Sequence, residues 1–382
     1  MASSTAAVTA QVLKVTEDFA VNFHKNLAEK IEGNFVSSAL SAYVVLSMAA
    51  YGAGGVTAEE MRSVLRLPVN EEESYRAFRE VVRELDNVPN VTLKVANKIF
   101  GSNRLKMKEK FKSITSRHFH SQSEELDFSK ADSANVINQW CSDKTNGKVD
   151  KIIESDQLTV DTTMILLNAV YFKGSWKNKF KEKNTKLLSF HINETATVDV
   201  PTMSIVNDFF YKDLKDIDAE SIALPYANEE VFMIIVVPRK VDGLKHVEKN
   251  LEKISFDYET DFERYKSEVF ITLPKFNVKS EIDMIPSLKE MGMINMFSNQ
   301  ANFSKIFNAS AKVSNVQQKA LIEVNEEGSE AAAIAGEPLN VVATLHSYVP
   351  PIMLHVDNPF FYKIMWKRNT IFSGRIVNPL DT

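Results

Sequence analysis

The sequence predicts a single α+β domain spanning residues 1–382, on three observations. Helical periodicity dominates the first third of the chain, apolar strand-like runs fill the middle and the end, and nothing between them reads as a linker. Pro and Gly number 12 each and are scattered, and no stretch of low complexity or like charge separates two halves. Length alone would suggest two or three domains, but an uninterrupted pattern fits one domain with an extensive core.

The elements follow in order. Residues 10–30 place Val12, Leu13, Val15, Phe19, Val21 and Phe23 among polar and charged positions at close to helical period. The apolar, Ala-rich stretch 41–51 predicts a buried helix, and the glycine-rich 51–57 a turn that ends it and opens the next. Thr57 and Glu60 stand at capping-box spacing, which predicts Thr57 as the next cap. Residues 71–85 form an amphipathic helix of mixed charge. Lys106, Lys108, Lys110, Lys112 and Arg117 interleave with Met107, Phe111, Ile114 and Thr115, as on the solvated face of a helix. The continuous apolar runs 164–172 and 231–238 predict strands buried on both faces. The alternating segments 267–276 and 369–377 predict half-buried ones.

Composition and motifs exclude more than they select. A net charge of -5 argues against nucleic acid as a partner, since phosphate binding needs a clustered basic surface. One cysteine, Cys141, leaves no internal disulfide framework and no multi-cysteine metal site, and its place beside Trp140 suggests the core. There is no G-x-S-x-G elbow and no H-E-x-x-H, and the only close histidine pair, His118 and His120, lacks a third ligand. The glycines of 51–57 make neither a dinucleotide nor a phosphate loop. No metal, cofactor or catalytic residue is expected, so the chain does not read as an enzyme. No apolar run approaches the ~20 residues needed to span a bilayer, so no membrane association is expected. Four Asn-x-Ser/Thr patterns, at Asn90, Asn193, Asn302 and Asn308, favour a secreted glycoprotein, although no signal peptide is visible and a cytoplasmic location is the alternative.

One segment is unusual. The strand-like run 316–324 leads into 326–343, EEGSEAAAIAGEPLNVVA, a long stretch of small residues fenced by Gly328, Gly336 and Pro338. Loops beyond ~12–15 residues without their own structure are functional or disordered as a rule. With period 2, Ser329, Ala331, Ala333 and Ala335 share one face and Glu330, Ala332 and Ile334 the other. A segment with one face this small can enter a sheet between two existing strands without colliding with the core beneath.

At this loop the chain resembles the serpin family, and the resemblance covers nearly the whole sequence. EEGSEAAA (326–333) is similar to the family's hinge motif, comprising Glu326, Glu327, Gly328, Ser329, Glu330, Ala331, Ala332 and Ala333. NAVYFKGSW (168–176), VPTM (200–203), LPKF (273–276), NPFF (358–361), SGRIVNP (373–379) and the stretch 127–149 stand in the family's order and spacing. The resemblance implies one α+β domain with three sheets, about nine helices and a reactive loop at about 326–349. It implies a monomer whose partner is a target protease, held in a covalent complex: the loop is attacked as substrate, and the cleaved loop inserts into the main sheet and stops deacylation. By the same resemblance Lys275 pairs with Glu326 at the loop's root. Ser38, Ser41 and Asn168 belong to a polar cluster beneath the sheet's opening, and Trp176 stands at its top. Two positions depart from the family: Ala39 replaces a proline, and Gln318 replaces a histidine in that cluster, so pH-dependent opening is expected to be weak.

Counting from the hinge lands on Val342–Ala343, counting back from Pro350–Pro351 gives Thr344 to Ser347, and counting from NPFF reaches Tyr348. Weighting the hinge count, since the inserted strand must match the sheet's length, leaves Val342, Ala343, Thr344 and Leu345 as candidates. From Glu326 to Tyr362 there is no Lys or Arg, which excludes trypsin-like targets and leaves elastase-like, chymotrypsin-like or apolar-preferring cysteine proteases. Glu337 and Pro338 stand late in the insertion path, where a carboxylate and a missing N–H disfavour a central strand. They keep open a non-inhibitory reading, as a protease substrate or a binding or carrier protein.

Overall fold

A computed structural model of the chain describes residues 2–88, 90–254, 265–328 and 350–381. The chain runs α1 (Ala2–Ala28), β1 (Phe35–Ser37), α2 (Ala39–Gly52), α3 (Gly55–Leu65), α4 (Glu71–Asp86), β2 (Val91–Ser102), α5 (Glu109–Phe119), β3 (Glu124–Leu126) and α6 (Ser133–Lys144). It continues through β4 (Met164–Gly174), β5 (Lys186–His191), β6 (Thr197–Leu214), β7 (Ala219–Pro225), β8 (Val231–Pro238), α7 (Leu244–Lys249), β9 (Lys266–Pro274) and β10 (Phe276–Asp283). Last come α8 (Ile285–Glu290), β11 (Val313–Val324), β12 (Ile352–His355), β13 (Phe360–Trp366) and β14 (Asn369–Ile376). This is the α+β class expected, with eight α-helices and two hydrogen-bonded sheets among the described residues.

Local sequence accounts for most elements. Helix α2 carries no polar stripe, and all its residues are buried. Helix α4 starts at Asn70, whose Oδ1 accepts from the N–H groups of Glu72 and Glu73, and three glutamates in its first turn suit the helix dipole. Helix α3 corrects the expected capping box. It starts at Gly55, two residues before Thr57, with Gly54 as the cap. Thr57 is instead buried, donating to Asn295 Oδ1 and accepting from Asn302 N at 2.9 Å, and Glu60 accepts from Ile294 N and Asn295 N. Tertiary partners claimed both side chains. Strand β14 is buried along its whole length where alternation predicted one wet face. The segment 267–276 also divides at Lys275 into β9 and β10.

The chain packs as two units: Met1–Phe172 with Val278–Ile322 and Lys363–Gly374, and Lys173–Asn277 with Glu323–Tyr362 and Arg375–Thr382. The boundaries fall inside β4, β10, β11, β13 and β14, and none lies in a linker. In the first unit the strands are ordered β10–β11–β4–β2–β3. Phe100, Ile137, Cys141, Ile165 and Leu167 pack in its core, so the cysteine is structural. In the second unit, β6 is 18 residues long and changes partners along its length. Its first part pairs β5 and β9, and its last part pairs β7. One strand thus carries three ladders and joins β5, β9 and β7 in one sheet.

Candidate functional site

The root of the long loop is built in the second unit. After β11 the chain turns tightly, with Asn325 N donating to Gly328 O at 2.9 Å and Gly328 N to Asn325 O at 3.1 Å. Glu327 N also donates to Asn325 Oδ1. Gly328 has φ +122, and a Cβ there would stand 2.1 Å from Gly174 O and 2.8 Å from Ser175 Cα. Only glycine meets both demands.

Trp176 holds the turn from the side. Its N–H donates to Glu327 O and its Nε1 to Asn325 O, both at 2.9 Å, while its ring stacks on Tyr226 with centres 4.5 Å apart. Phe180 N donates to Glu326 O at 3.0 Å. The Glu326 carboxylate is 2.8 Å from Lys275 Nζ and accepts from Thr185 Oγ1 at 2.7 Å. Burial pushes its pKa up, but the hydrogen bonds from Lys275 and Thr185 outweigh burial and hold it below the ordinary carboxylate value. Glu327 pairs with Lys179. The expected Lys275–Glu326 pair and Trp176 therefore meet here, joined by Asn325, Thr185, Lys179 and Tyr226, which sequence reasoning missed. An asparagine just before two glutamates and a glycine carried a turn signal that could have exposed Asn325.

The polar cluster forms in the first unit. Ser38 caps α2, and its Oγ donates to Ile371 O at 2.6 Å. Gln318 bonds both sides of the Ser38 backbone: Oε1 accepts from Ser38 N and Nε2 donates to Ser38 O, each at 2.9 Å. The same Nε2 donates to Asn168 Oδ1 at 2.5 Å. Asn168 Nδ2 donates in turn to Ser41 Oγ and to Asn97 Oδ1, the second at 2.5 Å. All four expected residues meet, and Asn97 of β2 completes the group. Asn97 escaped sequence reasoning because one asparagine in a strand carries no pattern. Ala39, in place of a proline, is the first residue of α2, a position where either residue is tolerated.

These side chains lie on strands with a particular relation. β4 and β11 are parallel neighbours, with Val316 opposite Leu166, Gln318 opposite Asn168 and Leu321 opposite Tyr171. A chain that folds back after β11 runs antiparallel to both, so a strand between them could pair on either side.

Of the hinge, Glu326, Glu327 and Gly328 are placed as above. Ser329, Glu330, Ala331, Ala332 and Ala333 lie outside the described residues, as do Glu337, Pro338 and the candidate bond residues Val342, Ala343, Thr344 and Leu345. Asn90, Asn193, Asn302 and Asn308 are all exposed. Among the described residues no three His, Cys, Asp or Glu side chains gather as a metal site, and no helix is long and apolar enough to cross a membrane.

Residues 14–379 match the family model described as "Serpin (serine protease inhibitor)". Alaserpin of Manduca sexta is 33% identical over 91% of this chain and 88% of its own length, and antitrypsin of Bombyx mori is 31% identical over 98% and 96%. The crystal structure of Serpin48 from Tenebrio molitor superposes with a TM-score of 0.88 at 30% identity, covering 97% of this chain and 98% of that one. Human thyroxine-binding globulin superposes at 0.85 with 25% identity, covering 97% and 99%. The chain belongs to the serpin family, which is described as one of serine protease inhibitors and not of enzymes.

Proposed function

We propose that this serpin is a suicide-substrate inhibitor of an endopeptidase with apolar specificity, acting as a secreted monomer. The observation that carries the reading is the parallel β4–β11 pair, with a tight turn from Asn325 to Gly328 just after β11. The protease attacks the loop and is held as an acyl-enzyme while the cleaved segment, led by Ser329 to Ala333, enters between the two strands. The polar cluster around Gln318 joins β4 to β11 and would separate on opening, so it sets how readily the sheet admits a strand. Although one relative is named an antitrypsin, the absence of Lys and Arg from 326 to 362 points to elastase-like or chymotrypsin-like enzymes, or to an apolar-preferring cysteine protease. The four exposed acceptor asparagines support a glycosylated, secreted chain.

Glu337 and Pro338 favour the second reading, a non-inhibitory serpin acting as a substrate or carrier. Mixing the protein with chymotrypsin, elastase and a papain-type protease separates the two. A covalent complex stable on a denaturing gel is expected, and the mass of the released C-terminal peptide identifies the bond, expected at 342–345. Cleavage without a complex and without a rise in thermal stability would sink the inhibitor reading.

A further inference from the structure

We propose that a cavity of about 440 Å³ in the first unit, walled by β2, the end of α5 and α6, binds a small organic anion with an apolar body, of the carboxylate class. The volume is within the range of small-molecule sites. Its lining is mixed: Leu93 and Phe119 of the core and the half-buried Trp140 give an apolar part, and Asn97, His120, Ser121 and Gln122 a polar one. Its charged groups are all cations. Lys94 and Lys144 line it with no ion-pair partner among the described residues, and Lys98, whose Nζ is 5.4 Å from the centre of the Trp140 ring, is already held by Glu124 at 2.6 Å. No Asp or Glu among the described residues lines the cavity.

Two lysines left unneutralised beside this apolar part select for a ligand with both properties. A bare inorganic anion leaves the apolar part wet, and a neutral lipid leaves the lysines uncompensated. A sulfated sugar chain needs a charged surface and no cavity. A flat or flexible apolar body against Leu93, Phe119 and Trp140, with a carboxylate turned to Lys94 and Lys144, uses both the apolar lining and the two cations, while Asn97, His120, Ser121 and Gln122 offer further polar contacts.

Calorimetric titration of the intact protein with decanoate, 1-decanol and sodium sulfate tests this. One decanoate per chain is expected to bind, with decanol and sulfate each at least about tenfold weaker. Lys94→Gln/Lys144→Gln should weaken decanoate by about tenfold or more, while the remote pair Lys240→Gln/Lys249→Gln leaves it unchanged. Trp140→Phe should remove the change in tryptophan fluorescence that decanoate induces. Decanol binding as tightly as decanoate, or undiminished decanoate affinity in the Lys94→Gln/Lys144→Gln protein, overturns the proposal.

Discussion

Gly328 combines a left-handed φ with backbone 2.1 Å from any added Cβ, and the obstructing atoms belong to Gly174 and Ser175, which cannot swing aside as a side chain would. Gly328→Ala should therefore cost about 3 kcal/mol and lower the thermal midpoint clearly. A midpoint within about 1 °C of the parent would contradict so close an approach. Glu326 makes a pH-dependent prediction. Its carboxyl pKa is held below the ordinary 4.5, so its contribution to stability is present above that value and lost as pH falls through the folded pKa. Lys275→Ala should cost about 1 kcal/mol near pH 7 and progressively less below pH 4, read as the difference in midpoint from the parent. An equal penalty at both pH values would assign the effect to packing of the lysine stem. At this scale the resemblance named the Lys275–Glu326 pair, and the fold supplied its further partner: Thr185 is an ordinary threonine until β5 follows it.

Among the elements, β4 and β11 matter most because they are parallel and adjacent. Tyr171 and Leu321 are register partners on this pair. Tyr171→Cys/Leu321→Cys, oxidised to a disulfide, should hold the strands together, reducing the trapped fraction of protease by about tenfold or more while the loop is still cleaved. Reduction should restore trapping. Undiminished trapping by the oxidised form would place insertion elsewhere. Gln318 joins the same strands and has no group that charges near neutral pH. Opening, followed as uptake of a peptide matching residues 329–342, should be flat from pH 5 to 8, and Gln318→His should introduce a dependence centred near 6.5. A parent protein that itself titrates there would refute the role given to Gln318. Strand β4 was legible as an apolar run because it is buried on both faces, and β11, only partly buried, as a strand-like run leading into the loop. Their neighbours were not, since pairing joins β4 to a strand about 150 residues away, and no local pattern encodes it. The same limit explains β14, whose alternation was read as one wet face although packing covers both.

At the scale of the whole molecule, inhibition is a competition between loop insertion and deacylation. Glu337 and Pro338 act on that competition through a desolvated carboxylate and a missing hydrogen-bond donor. Glu337→Ser/Pro338→Ala should raise the fraction of protease trapped rather than released by about twofold or more. An unchanged fraction would mean that the trap closes before these residues reach the sheet. The insertion reading also requires the cleaved protein to melt above the intact one, since a new strand pairs on two sides.

The sequence by itself determined the α+β class, most of the helices, the absence of any recognisable catalytic motif and, through several motifs in register, the family. It could do so because helical period, strand apolarity and loop composition are properties of neighbouring residues. Only the tertiary structure decided that Gln318 faces Asn168 across a parallel strand pair, that Asn97 completes their network, that Thr57 serves the core and caps nothing, and that Lys94 and Lys144 overlook one cavity. Each of these depends on groups brought together from distant parts of the chain, and for Gln318, Asn97 and Thr57 the energy of pairing a buried polar atom outweighs any local preference.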